Sequence, residues 1–229
     1  ADPLSTDEAY QHARLRMLKL AAGDADGAVA PIPGLSPTEQ RYWSNQFFAL
    51  STMLDSTAQP QSARRAAAAE LHLATAQQEL EQMASLAVRN LTFCTDVYAF
   101  GGYDERPTRR FRPGEEVNLY VEIDNYRSEP SKDGYRTLLG GSYQVLDARG
   151  ARVDGREFTP VDDYCLSRRR DFHMHFIIGL PERIYAGEYQ LELTINDQLG
   201  NKIGRAAIDF EIVDDTASES SPRSARAKR

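Results

Sequence analysis

The segment from Gly187 to Ile212 constrains the fold more than any other. Tyr189, Leu191, Leu193 and Ile195 alternate with Gln190, Glu192 and Thr194, and Ala206, Ile208, Phe210 and Ile212 alternate with Ala207, Asp209 and Glu211. Between them lie the turn formers of Asn196 to Asn201. Successive side chains of a strand point to opposite faces, so each half carries one apolar and one polar face. The pair predicts an antiparallel hairpin with one buried face. That face needs a second apolar layer, so the back half of the chain is expected to be a β-sandwich, a fold used mostly for binding and spacing.

The same alternation recurs upstream. Leu91, Phe93 and Val97 open a first strand, and Val117, Leu119, Val121 and Ile123 form a clean one after the Pro113-Gly114 turn. Tyr135 to Leu146 holds another, in which Gly140 and Gly141 suggest a bulge or a close backbone approach. Asp147 to Gly150 is a turn, Val153 to Phe158 a short strand for an edge, and Phe172, Met174, Phe176 and Ile178 alternate again. Strands at intervals of about ten residues, with turns and no helices between, predict an immunoglobulin-like sandwich of about seven strands over 91–213. Tyr189, just inside its strand, stands where such folds place a tyrosine corner.

Residues 1–90 read as a helical unit of three helices, at about 5–22, 37–55 and 61–89. Ser5 with Glu8 and Ser36 with Glu39 fit capping boxes, and Pro37 sits at the first helical position. Tyr10, Ala13, Met17 and Leu20 form the first apolar stripe, and Trp43, Phe47, Leu50 and Leu54 the second. Ala66, Ala69, Leu73, Ala76, Leu80, Met83 and Ala87 continue at three-four spacing, either as an intramolecular hairpin or as a coiled-coil contact with another chain. No Gly/Ser or Pro-rich linker separates the halves, so rigid docking is expected. The fold class is therefore α+β: a three-helix unit packed on an antiparallel immunoglobulin-like sandwich. The tail 214–229 has too few apolar residues to offset its chain entropy and is expected to be disordered.

With 41% hydrophobic and 27% charged residues the chain has an ordinary globular composition. A formal charge of -7 argues against a nucleic-acid binder, which needs a broad basic field. No apolar run approaches the roughly 18 residues that span a bilayer. A chain that opens on Ala1 is expected to have lost an upstream segment. The two cysteines, Cys94 and Cys165, are either buried thiols or one disulfide, which in the chain-entropy model would contribute about 4 kcal/mol.

Few residues suggest chemistry. His173 and His175 share one face of a strand and, with Asp162, Asp163 or Cys165, would suit zinc or copper; the bland alternative is two exposed histidines opposite the buried Phe172 and Met174. Arg168, Arg169 and Arg170 would clamp a phosphate or sulfate if they converged with Arg109, Arg110 and Arg112; otherwise they are a solvated loop neutralised by Asp162 and Asp163. No nucleophile elbow, Walker loop or dinucleotide fingerprint is present. Adjacent carboxylates such as Glu115-Glu116 point to opposite faces of a strand and make no acid–base pair. Tyr103, Tyr120, Tyr126 and Tyr135 fall in loops or on outward parity. They are either exposed aromatics that bind protein or glycan, or residues covered by the helical unit.

The helical part carries Pro31-Ile-Pro-Gly-Leu, Tyr42-Trp43 and Arg64-Arg65-Ala66. The strand part carries Val88-Arg-Asn-Leu-Thr-Phe-Cys-Thr, Phe111-Arg-Pro-Gly-Glu-Glu-Val, Arg169-Arg170-Asp171-Phe172 and Gly187-Glu-Tyr-Gln-Leu-Glu-Leu-Thr-Ile. In this order, from about Met17 to Ile212, the chain resembles a family of planctomycete proteins predicted to be exported or envelope-associated. The resemblance implies a bacterial source, a helical unit followed by an immunoglobulin-like sandwich, an oxidised cysteine pair and no activity. The expected function is a non-catalytic binding or structural module of the cell envelope, monomeric, without cofactor, with a protein or glycan partner. The rivals are a carbohydrate-binding accessory domain of a larger enzyme and a metal-dependent enzyme using His173 and His175.

Overall fold

The computed structural model describes residues 6–214, so the cap at Ser5 and all of the tail but Asp214 lie outside the described residues. The protein is α+β and divides between Ser85 and Leu86, earlier than the expected boundary at 90. The first unit holds four described helices rather than three: α1 (Thr6–Ala21), α2 (Ala25–Val29), α3 (Pro37–Leu54) and α4 (Ser62–Met83).

Gly23 takes a φ of +84° and ends α1, as its freedom to adopt a left-handed conformation allows. Asp24 then accepts the Gly27 amide through Oδ1 at 2.8 Å and caps the extra short helix α2, within what reads as loop. At α3 the capping box forms: Ser36 Oγ accepts the Glu39 amide, and Glu39 Oε2 accepts the Ser36 amide at 2.9 Å. Ala13, Ile32 and Phe47 form a small core with Trp43 against it. Tyr10 and Met17 are instead exposed, because Arg16 takes the inner position on α1 and donates to the carbonyls of Ala30 and Pro31. Between α3 and α4, Ala69 and Ala76 are buried, Arg41 grips the buried Glu79 through two hydrogen bonds of 2.7 and 2.9 Å, and Phe48 stacks on His72. α4 stops at Met83, short of the expected 89, because Leu86 is drawn into the core of the second unit.

Among its described residues that unit contains ten strands: β1 (Ala87–Ala99), β2 (Gly102–Glu105), β3 (Arg110–Phe111), β4 (Glu116–Asp124), β5 (Glu129–Ser131), β6 (Gly134–Asp147), β7 (Arg152–Cys165), β8 (His173–Gly179), β9 (Gly187–Asp197) and β10 (Lys202–Ile212). One sheet runs β2-β1-β4-β8. The other runs β3-β10-β9-β6, with β5 and β7 both pairing with β6. The excess over seven comes partly from short strands, β2, β3 and β5, that carry no alternation. β3 lies parallel to β10, so the second sheet is mixed rather than wholly antiparallel.

The β9–β10 hairpin forms in uninterrupted register from Lys202 opposite Asp197 to Ile212 opposite Gly187. Its inward row, Leu191, Leu193, Ile195, Ile208, Phe210 and Ile212, meets Phe93, Leu119, Val121 and Ile123 of the facing sheet in one core. Asp197 is buried and accepts the amides of Gly200 and Arg127, which locks the turn. Tyr189 donates to the Tyr185 carbonyl at 2.9 Å and stacks on Phe210, in the manner of a tyrosine corner. The register between β6 and β7 shifts between Leu139 and Gly141, the bulge expected at the paired glycines.

Candidate functional site

On the four-stranded sheet, Tyr120 lies on the outward parity yet is fully buried. The cover comes from its own unit. A register shift between Cys94 and Asp96 distorts β1, and the turn that joins β1 to β2 reaches Tyr120 and β8. There the Gly101 amide donates to Tyr120 Oη at 2.7 Å, Tyr103 stacks on the ring at 4.2 Å, and Phe100 meets His173 edge-on. Tyr120 Oη donates to Glu122 Oε1 at 2.8 Å, and Glu122 Oε2 accepts from Asn90 at 2.7 Å. Asn90 has a φ of +52°, within a second register shift that aims its amide at the carboxylate. Burial, with the Glu122 carboxylate, pushes the Tyr120 phenol up to about 12. The Tyr120 hydroxyl thus sits in a hydrogen-bonded network rather than on an open aromatic surface, while Nδ1 of the adjacent His173 is buried without a hydrogen-bond partner among the described residues.

Of the four candidate tyrosines, then, Tyr103 and Tyr120 come together but face each other. Tyr126 belongs to the core, with its hydroxyl on the Arg169 carbonyl at 2.8 Å. Tyr135 sits apart on β6, opposite Cys165 and Pro130. None forms an exposed binding platform. His173 stacks on Tyr120, whereas His175 contacts Asn118 at the surface, and no group of three or more metal-donor residues exists among the described residues.

Both cysteines are free thiols, the first of the two alternatives, and the oxidised pair that the resemblance implies is not formed. Cys94 lies mid-strand beside Asn118 in one sheet, while Cys165 ends β7 in the other. Burial pushes the Cys94 thiol up, the opposite of activation. The arginines do not converge. Arg169 pairs with Asp163 and lies over Phe172, near the Ile123 end of β4. Arg110 pairs with Glu211, and Arg112 donates its amide to Glu115, beside the other end of β4. The length of that strand, about 26 Å, separates the groups.

The surface that sequence reasoning missed is the outer face of the second sheet. Its register places Arg205, Thr194, Ser142 and Glu157 in one row across β10, β9, β6 and β7, and Ala207, Glu192, Gln144 and Gly155 in the next. Here a groove of about 720 Å³ opens. Its floor is hydroxyl and amide, with Gln144 Nε2 donating to Glu192 Oε1 at 2.9 Å. At the rim, Arg152 is held over Gly155 by hydrogen bonds to the carbonyls of Asp154 and Gly155. A Cβ at Gly155 would fall 2.6 Å from the Tyr143 carbonyl, so only glycine fits under that guanidinium. A second depression of about 680 Å³ continues along the same strands, bordered by Leu146, Gln190, Asp209, Glu211 and Arg110. The signal is present in the polar parity of β9 and β10, which alternation alone identifies only as the face opposite the core.

No protein-family model matches the chain, and no curated protein matches it in sequence. Among solved structures it is similar to the alkylpurine DNA glycosylase AlkC of Pseudomonas fluorescens at 10% identity and a TM-score of 0.33, over 88% of this chain and 54% of that one. It is similar to the sporulation control protein Spo0M of Bacillus subtilis at 12% identity and a TM-score of 0.33, over 57% of this chain and 50% of that one. An immunoglobulin-like protein of Pseudomonas aeruginosa is similar at 14% identity and a TM-score of 0.29, over 57% of this chain and 98% of that one. The chain thus spans about half the length of the first two. Among the described residues no helix is long and apolar enough to cross a membrane.

Proposed function

We propose that this protein is a non-catalytic binding module, an immunoglobulin-like sandwich with a helical unit, working at a bacterial cell envelope. Its binding surface is the outer face of the second sheet. The observation that carries this reading is the pair of depressions lying end to end on one polar sheet face. Gln144 and Glu192 bond each other across β6 and β9 and Arg152 bonds two carbonyls, but the outward side chains of Ser142, Thr194, Arg205 and Glu157 offer donors and acceptors to a ligand. The resemblance to exported planctomycete proteins favours the envelope setting. Co-sedimentation with purified bacterial sacculi and their attached polymers tests the reading. The native chain is expected in the pellet and Thr194→Arg, which fills the groove, in the supernatant; equal pelleting of both would sink it.

A further inference from the structure

We infer that the groove takes a short acidic oligosaccharide, a proposal that rests on the binding-surface reading above. The row from Arg205 to Glu157 crosses four strands, about 14 Å at the usual interstrand spacing, which suits a short chain of sugar rings better than a single ion. Both signs of charge occur within it. The Arg205 guanidinium makes no ion pair among the described residues, and Arg152, on the same face, is already oriented by its two carbonyls. Planar guanidinium forks match carboxylate or sulfate oxygens in bidentate geometry. Glu157 and Glu192 sit in the same groove and would repel a ligand with an anion on every unit. A sugar resolves the conflict: its hydroxyls donate to the glutamates, while one acidic substituent meets the arginines. The hydroxyls of Ser142 and Thr194 between them both donate and accept.

The floor also excludes alternatives. It offers no apolar patch for a hydrophobic peptide. No aromatic plane faces it, since the Tyr143 ring turns inward against Phe158 with its hydroxyl on Asp154. Recognition is therefore by hydrogen bonds and charge rather than by ring stacking, and neutral sugars would lose the strongest contacts.

The test is titration of the full chain against length-matched oligosaccharides, uronate-containing, sulfated, sialylated and neutral, with hexaglutamate as a peptide polyanion. At least one acidic sugar is expected to bind about tenfold or more tighter than its neutral counterpart. That preference should weaken with salt and collapse in Arg205→Ala, while Arg205→Lys retains part of it. Arg205 is exposed, and circular dichroism of both variants checks that the fold persists. Equal binding of neutral sugars, equal binding of hexaglutamate, or no binding of any acidic sugar would overturn the inference. If acidic sugars fail while Thr194→Arg still abolishes co-sedimentation, the ligand class falls and the surface stands. If Thr194→Arg changes nothing, both fall.

Discussion

Tyr120 shows how one side chain can invert the meaning of a parity. It points away from the core, yet it carries two hydrogen bonds and is fully buried. Tyr120→Phe keeps the ring and strands the Gly101 amide and Glu122, so chemical denaturation should register a loss of about 1–3 kcal/mol. The raised phenol also sets a pH dependence. The folded chain holds a proton that the unfolded chain releases above the ordinary value of 10.0. Stability is then full below pH 10 and falls as pH rises toward about 12, by roughly 3 kcal/mol for two pH units. Denaturation midpoints across that range should decline in the native chain and decline less in Tyr120→Phe. Little of this was legible in the sequence. Alternation identified the outward side of β4, but the cover comes from a turn whose path depends on a register shift in β1. Cys94, outward on β1, is buried on the same face for a reason equally hidden in the one-dimensional pattern.

At the scale of elements, the hairpin of β9 and β10 was legible almost residue by residue, because alternation and turn chemistry agree there. The Ser36 cap, the corner at Tyr189 and the bulge at Gly140-Gly141 were legible for the same reason: each is a local contact. The parts that escaped are set by distant partners. α4 ends where Leu86 joins another core, and β3 exists because Arg110 and Phe111 lie along the last strand. Gly204 belongs to this second kind. It faces inward on β10, where a Cβ would fall 2.7 Å from Val88 Cγ2 and 2.9 Å from the Leu86 carbonyl. Gly204→Ala should therefore push β1 off β10 and cost about 1–3 kcal/mol, read as a lower melting temperature. An unchanged melting temperature would mean that the start of β1 yields without resistance.

Across the whole second unit, the two sheets treat their outer faces differently. The four-stranded sheet closes its face with its own turn and spends its tyrosines there. The other leaves a polar face with two adjacent depressions. The sequence made the tyrosines conspicuous and the polar groove inconspicuous, because aromatic residues stand out singly while a groove is a property of register across four strands. None of Ser142, Thr194, Arg205 or Glu157 is informative alone, and they lie up to 63 residues apart in the chain before pairing brings them into one row.

The place of β10, between β9 and the parallel β3, carries a consequence for synthesis. Every earlier strand can leave the ribosome without the sheet being able to close, since the slot between β9 and β3 waits for residues 202–212. Until they arrive, Phe111 and the inward row of β9 have no cover on that side. A nascent chain arrested at Asn201 is expected to remain protease-sensitive and bound by holding chaperones, and one extended past Ile212 to be released. The second unit would then close late and in one step, with β10 acting as the key.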